Sequence, residues 1–470
     1  VRKIFAGLLR RRSPAQPRPE PFEFHYAEAM EAVARGDSSR AIESFDRALA
    51  IKPDHAEAYY KRANELAKLG RFAEAVLSYE HAIEHKGDHA HAYCNLGTLQ
   101  HKMGLQESAL ASYDMAIRLD PQDARAHYNR ALLMQDYSRW DEVLASYDRA
   151  VAIDPRFADA QYNRALALLF QGNFGEGWSA YEWRWKNAQR LAIGHHRSYT
   201  QPLWLGEAPL KGKRLLLHSE GGLGDTIQFC RYAALCAARG AVVILEVQAP
   251  LLDLLGKLDG VAEWVTTGGA LPPFDYHCPL MSLPLAFKTT LDSIPSARQY
   301  IQPDPVKVAG WRARLGESSR GRIGLVWSGN PNNRIDHQRS IRLADWVAHL
   351  PPAYEYYCLQ RDVRAPDRAV LDANGLIRTF RDDLMDFSGT AALCECMDVV
   401  VSVDTSLAHL SGALGRPTWV LLPFDPDWRW LQHGDTSPWY PTMTLYRQDS
   451  SRDWRDVFAR VAADLKRQLE

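Results

Sequence analysis

The 470-residue chain is too long for one ordinary domain, and its 46% hydrophobic content is enough for two to four cores. Lys+Arg 56 against Asp+Glu 57 leaves a formal charge of −1, so no global positive field holds the chain on a polyphosphate backbone, which argues against nucleic acid as the main partner. Seven scattered cysteines, an odd number with no CxxC pair, fit reduced cytoplasmic thiols rather than a disulfide framework, a zinc knuckle or a redox motif.

Residues 1–21 carry Arg2, Lys3, Arg10, Arg11, Arg12 and Arg18 ahead of a Pro-rich run and read as a flexible basic leader. The apolar stretch Ile4 to Leu9 is interrupted by Gly7 and is too short for a signal-peptide core, and nothing later has the length of a transmembrane segment. From residue 22 a period appears. Phe45, Tyr79, Tyr113, Tyr147 and Tyr181 follow one another at 34 residues. Gly36, Gly70, Gly104 and Gly172 keep the same register, with Ser138 in the missing slot, as do Ala48, Ala82, Ala116 and Ala150. Glycine permits a tight turn between antiparallel helices, alanine lets them approach, and Pro53, Pro121 and Pro155 close three of the units. This pattern resembles the tetratricopeptide repeat and predicts an α-solenoid of about five repeats over residues 22–200.

Asn95, Asn129 and Asn163 also lie 34 apart, on the first helix of each unit, and are expected to line the inner surface. A carboxamide donates and accepts at once, so such a ladder can grip the backbone of an extended peptide with little regard for its sequence; the competing expectation is a solvated inner face with incidental asparagines. Lys61 stands where the preceding unit would carry the next asparagine. Trp178, Trp183 and Trp185 are expected to pack the last repeat against the C-terminal region.

After about residue 200 the period gives way to short aliphatic runs alternating with helical segments. Arg214 to His218, Val242 to Val247, Arg322 to Trp327, Tyr354 to Leu359, Val399 to Asp404 and Thr418 to Leu422 read as buried parallel strands, and Asp453 to Leu469 as a closing helix. The fold class is therefore α plus α/β, a solenoid followed by two Rossmann-like domains over residues 201–305 and 306–470.

In open parallel sheets the working loops follow the carboxyl ends of strands. The loop after the first strand holds Gly222, Gly224, Asp225, Thr226 and Gln228. Its glycines allow close approach, and Asp225 either takes a proton from an acceptor hydroxyl or forms a capping box with Gln228. A second loop holds Ser328, Asn330, Arg334 and Arg339; either arginine, if not merely solvated, can neutralise a leaving diphosphate. In the third, Asp404, Thr405 and Ser406 open a helix that carries His409. Its unpaired N–H groups suit an anion, and its dipole favours a neutral His409; the plain alternative is a Thr-capped helix with a packed histidine. Cys394 and Cys396 are expected to be buried packing, and the Asp425-Pro-Asp427 pattern, within the rigid Pro/Trp loop Pro423 to Trp430, is expected to contact a nucleotide or simply pack, with no metal.

Together GGLGDTIQF at 221–229, WSGNP at 327–331, SVDTSLAHLSGALGRPTWVLLP at 402–423 and the DPDWRWL and SPWYP segments after them resemble GT-B glycosyltransferases related to the heptosyltransferases, in a bacterial group where tetratricopeptide repeats precede the transferase and which includes flagellin-modifying enzymes. The resemblance implies an inverting, metal-independent transfer from a nucleotide-sugar, with no further cofactor, to a hydroxyl of a protein acceptor such as flagellin. It assigns Asp225 as base and Asp404, Thr405, Ser406 and His409 to the donor diphosphate. The family's Gly after Thr is Ser406 here, and its phosphate-binding lysine is absent, with Gln338 and Arg339 nearest. A lipid-linked or lipopolysaccharide acceptor and a scaffold without catalysis are the other readings. The sugar, the nucleotide and the oligomeric state are not specified by the sequence.

Overall fold

A computed structural model describes residues 21–187, 198–333 and 335–469. The expected basic leader, apart from Pro21, and Arg334 lie outside the described residues.

Ten helices alternate in antiparallel pairs: α1 (Phe22–Arg35) with α2 (Ser38–Ile51), α3 (Ala56–Lys68) with α4 (Phe72–His85), α5 (Ala90–Lys102) with α6 (Gln106–Leu119), α7 (Ala124–Asp136) with α8 (Trp140–Ile153), and α9 (Ala158–Phe170) with α10 (Phe174–Tyr181). The turn in every pair is the same. Gly36, Gly70, Gly104 and Gly172 take φ between 73° and 81°, and Ser138 fills the fourth slot at φ 55°, a conformation costly for a residue with a Cβ. The following N–H reaches back to the last turn of the first helix, as in Asp37 to the Ala32 carbonyl and Arg139 to that of Met134, closing a Schellman-type end.

The 34-residue aromatics and alanines are all buried, and so are four serines at the same period, Ser44, Ser78, Ser112 and Ser146. Arginine accounts for two of these. Arg62 donates to Ser78 on its own pair and to Asp46 (2.6 Å) on the pair before. Arg130 repeats this with Ser146 (3.0 Å) and Asp114 (2.8 Å). Gly97 stands where α5 comes closest to its partner, since a Cβ there would lie 2.9 Å from the Tyr113 ring.

The chain divides into two compact units, residues 1–157 and 158–470. The fifth helical pair therefore belongs to the second unit, with the sheets. There α9 and α10 run into a turn of 3₁₀ helix, Glu182–Trp185, and are built into the sheet region. Trp178 is buried, its indole N–H donating to the Thr289 carbonyl (3.1 Å) and its ring meeting Phe229, Trp428 and Trp439 edge-on. Arg184, 1% exposed, grips Glu220 with Nε and Nη2 (2.7 and 2.9 Å), Glu182 (2.6 Å) and Ser282 (2.6 Å).

The first sheet contains β1 (Arg214–His218), β2 (Val242–Val247), β3 (Val261–Thr266) and β4 (Tyr276–Pro279), in the order β3-β2-β1-β4. The second contains β5 (Arg322–Val326), β6 (Glu355–Cys358), β7 (Ile377–Thr379), β8 (Val399–Val403), β9 (Thr418–Leu422) and β10 (Met443–Arg447), in the order β10-β9-β8-β5-β6-β7. All pairings between these strands are parallel. Counted from its own first strand, the second sheet runs 3-2-1-4-5-6 from one edge, the order of doubly wound nucleotide-binding sheets; the first sheet reproduces its 3-2-1-4 portion. Every residue of β8 and β9 is buried, as strands covered on both faces require. On one face Ile323, Leu325, Val401, Val403, Trp419 and Leu421 pack with Val457, Phe458, Val461 and Leu465 of the closing helix, Trp454–Leu469. No helix among the described residues is long and apolar enough to cross a membrane.

Candidate functional site

The loops after β1, β8 and β9 meet at one place. After β1 the chain passes through Ser219 to Gly222, and Gly222 caps the helix Leu223–Phe229. Asp225 is the third residue of that helix, and its Oδ2 accepts from the Gly222 N–H at 2.7 Å. The helix thus begins earlier than the expected Asp225 and Gln228 capping box requires; Asp225 closes the start backwards and Gln228 turns into the core. None of Gly221, Gly222 and Gly224 has a positive φ, so their smallness serves approach rather than backbone freedom. An added Cβ on Gly221 would lie 2.1 Å from Asp225 Oδ2, and one on Gly224 would lie 2.9 Å from the His409 ring and 3.3 Å from the Ser406 Cα. Glycine at 224 therefore lets the first-sheet helix lie directly against the start of the second-sheet helix Ser406–Ala413.

Thr405 is the N-cap of that second helix, its Oγ1 accepting from the Leu407 N–H at 3.3 Å. The N–H groups of Thr405 and Ser406 have no acceptor among the described residues, and both residues are partly exposed. Asp404 is buried just before them. Burial, reinforced by Asp427 and opposed by Arg339 and Arg429, pushes its carboxyl up to about 6. Arg339 Nη1 donates to the Asp404 carbonyl at 2.7 Å, so Arg339 is tied to the β8 loop. His409 is buried, stacked on Trp430 (centroids 5.4 Å, 17°) with Nδ1 2.9 Å from the Tyr440 hydroxyl. Burial first, then the charges of Arg429, Arg231 and Arg339, holds its imidazole well below the ordinary histidine range. It is a neutral polar group among three guanidiniums, and burial and arginine charge do what the sequence reading assigned to the helix dipole.

The loop after β9 contributes the residue that sequence reasoning did not place in the site. Arg429 donates through Nη2 to Asp225 Oδ1 (2.5 Å), through Nε to Gln228 Oε1 (2.9 Å) and through Nη1 to Asp427 Oδ1 (2.8 Å), lying over the Trp428 ring at 4.3 Å. The only local signal was its place after a strand between two tryptophans; two of its three partners are some two hundred residues away. A second buried arginine, Arg231, joins the same two sheets, donating to the Trp439 carbonyl (2.7 Å) and the Tyr300 hydroxyl (2.9 Å).

Other expected site residues are placed differently. Thr226 is buried with its hydroxyl on Gln248 Oε1 (2.8 Å), and Gln228 is fully buried. Ser328 is buried and accepts from Gln360 Nε2 (2.9 Å), while Asn330 is exposed and its Oδ1 accepts from the Asn332 N–H (3.0 Å). Asp336 pairs with both Arg339 and Arg364. Asp425 and Asp427 diverge, to Arg452 (2.8 Å) and Arg429 (2.8 Å), and no cluster of three metal-ligating side chains occurs among the described residues. Six cysteines are buried and Cys396 is partly so, all as free thiols. A cavity of about 720 Å³ opens elsewhere, among Arg312, Arg322, Asp398 and Arg416 at the amino ends of β5 and β8, the edge of a parallel sheet that does not carry the working loops.

In the first unit, Asn95 Nδ2 donates to Asn64 Oδ1 (2.9 Å), and Asn129 Nδ2 to Thr98 Oγ1 (3.3 Å). Each carboxamide thus stitches its helix to the first helix of the preceding pair. Asn95 Nδ2 also reaches the Tyr60 hydroxyl (3.3 Å) and Asn129 Nδ2 the Cys94 Sγ (3.7 Å), so both donor hydrogens of each amide are engaged and the oxygen, with its two acceptor lone pairs, is the group left to a ligand. Asn163 sits on α9, in the second unit, and Lys61 pairs with Glu57 at 3.3 Å.

The tetratricopeptide repeat family profile matches residues 26–88 and 60–124. Among curated proteins, the chain is 26% identical over 332 residues to Protein FlbA of Caulobacter vibrioides, covering 64% of this chain and 53% of that protein, so the chain spans about half the length of this relative. Similar solved structures include MamA from Desulfovibrio magneticus RS-1 (19% identity, 35% of this chain and 92% of that one, TM-score 0.31) and YrrB, described as a TPR protein with an unusual peptide-binding site (22%, 35% and 91%, TM-score 0.30). PilW, a type IV pilus biogenesis factor, aligns at 23% identity over 37% of this chain and 81% of its own, TM-score 0.33. The repeat profile and the paired helices together show an N-terminal tetratricopeptide-repeat solenoid, followed by a region of two parallel sheets.

Proposed function

We propose that the chain is an inverting, metal-independent glycosyltransferase of the GT-B type, moving a sugar from a nucleotide-sugar to a hydroxyl of a protein held by the repeats, in the cytoplasm. The observation that carries this reading is the meeting of Gly224 with Ser406 and His409, which brings the first-sheet carboxylate Asp225 beside the open helix start of the second sheet. The helix start and Arg339 suit a diphosphate, whose charge the neutral His409 does not oppose. Asp225, a quarter exposed, suits a general base that accepts the proton as the acceptor oxygen attacks the anomeric carbon and the nucleoside diphosphate departs. The amide oxygens of Asn95 and Asn129 in the first unit suit the N–H groups of an extended backbone, and flagellin is the acceptor that the motif resemblance implies. Calorimetric titration with UDP, GDP, ADP and CDP tests the donor site: one of them binds, and Asp225→Asn leaves that affinity intact while lowering transfer by about 10²- to 10⁴-fold. If no nucleotide binds, or if Asp225→Asn turns over normally, the reading is wrong.

A further inference from the structure

We propose that Arg429 is the positioning residue for the Asp225 carboxylate, an assignment that rests on the transferase reading. Each oxygen of Asp225 has one fixed donor, Gly222 N–H on Oδ2 (2.7 Å) and Arg429 Nη2 on Oδ1 (2.5 Å). A carboxylate accepts about four hydrogen bonds, so both oxygens keep a lone pair for an incoming hydroxyl while the plane of the group is set by its two partners. Asp225 is 25% exposed and Arg429 10%, so the hydroxyl reaches the carboxylate and not the guanidinium.

The guanidinium is itself held on all sides, by Gln228 Oε1 behind Asp225, by Asp427 on its own loop and by the Trp428 face. Three acceptors in three directions need the planar fork of arginine; a lysine ammonium would keep the charge and lose the geometry. Asp225 comes from the first sheet and Asp427 from the second, so the same side chain also sets the register of the base against the helix start at Thr405.

The test uses the full chain with Arg429→Lys and Arg429→Ala. With flagellin as the protein acceptor, release of the nucleoside diphosphate is followed from UDP-N-acetylglucosamine, GDP-mannose and ADP-heptose, and the affinity for the matching free diphosphate is measured by calorimetry. In Arg429→Lys, free-nucleotide affinity and KM are expected to stay within about threefold of the parent, while kcat falls by about 10²-fold, the cost of misplacing a reacting group by about an ångström. Added guanidinium ion is expected to restore part of kcat in Arg429→Ala and none in Asp225→Asn, a response that a merely structural pin does not give. Parental kcat in Arg429→Lys and Arg429→Ala would overturn the assignment alone, as would an equal loss of affinity and kcat with no rescue. A parent chain that binds no nucleotide and releases none would overturn the transferase reading and this assignment with it.

Discussion

The two compact units place their polar side chains by opposite rules. In the repeats a buried or half-buried polar group finds its partner within about one period, as Arg130 finds Asp114 and Ser146 at 16 residues on either side, so the same bond recurs wherever the sequence repeats. In the sheet unit the decisive bonds join distant stretches, Arg184 to Ser282 across 98 residues and Arg429 to Asp225 across 204. A solenoid is therefore held by many small, nearly independent links, and the site-bearing unit by a few concentrated ones.

Truncation is the largest way to break this comparison. A chain beginning at Ala158 keeps Trp178 and Arg184 and is expected to unfold cooperatively, whereas one beginning at residue 201 uncovers Phe229, Trp428 and Trp439, leaves Glu220 without its buried cation, and is expected to lose its cooperative melt in calorimetry. Next in size is a pair of single changes. Arg184→Met strands two carboxylates against the core and should cost about 3–5 kcal/mol in urea unfolding, while Arg130→Met, whose acidic partners are one-third to one-half exposed, should cost no more than about 1 kcal/mol. Equal losses would erase the distinction between the units.

A smaller effect depends on pH. Asp404 is raised from 3.8 to about 6, so between those values the folded chain binds more protons than the unfolded one, and the cost of this charge grows as pH rises through the window and is complete above it. Asp404→Asn should then stabilise the protein by about 1–2 kcal/mol at pH 8 and leave it nearly unchanged at pH 4, read from denaturant midpoints. His409 has the opposite sign. Its imidazole stays neutral in the folded chain, so stability is lost as pH falls below the ordinary histidine value near 6.5, and His409→Gln should flatten that acid limb by at most about 1.4 kcal/mol per pH unit. The smallest effect belongs to the ladder. Asn129→Ala removes a bond to Thr98 and a weak one to Cys94 on a partly exposed helix face and should cost about 1 kcal/mol or less, while a larger loss in the affinity of a bound peptide would support the proposed grip.

Much of the fold was legible in order along the chain. The 34-residue period named the helices, their turns and even the odd slot at Ser138, and all six aliphatic runs became strands. The strands that were not anticipated had weak local signals. Val261–Thr266 is only partly buried, Tyr276–Pro279 and Ile377–Thr379 are short, and Met443–Arg447 lies at a sheet edge. In the site the glycines, Asp225 and the Thr405 helix start were visible as loop chemistry. Thr226 and Gln228 were not distinguishable from them, because which side of a short helix turns inward depends on what covers it.

Local chemistry alone therefore determined the repeats, the parallel-strand grammar and the Thr405-capped helix start, since turn geometry, periodicity and capping act over a few residues. Only the tertiary structure decided that the fifth helical pair belongs with the sheets, that His409 is a buried neutral group, and that Arg429 holds Asp225. Those outcomes depend on burial and charge pairing between segments far apart in the chain, and neither quantity exists until the segments have packed together.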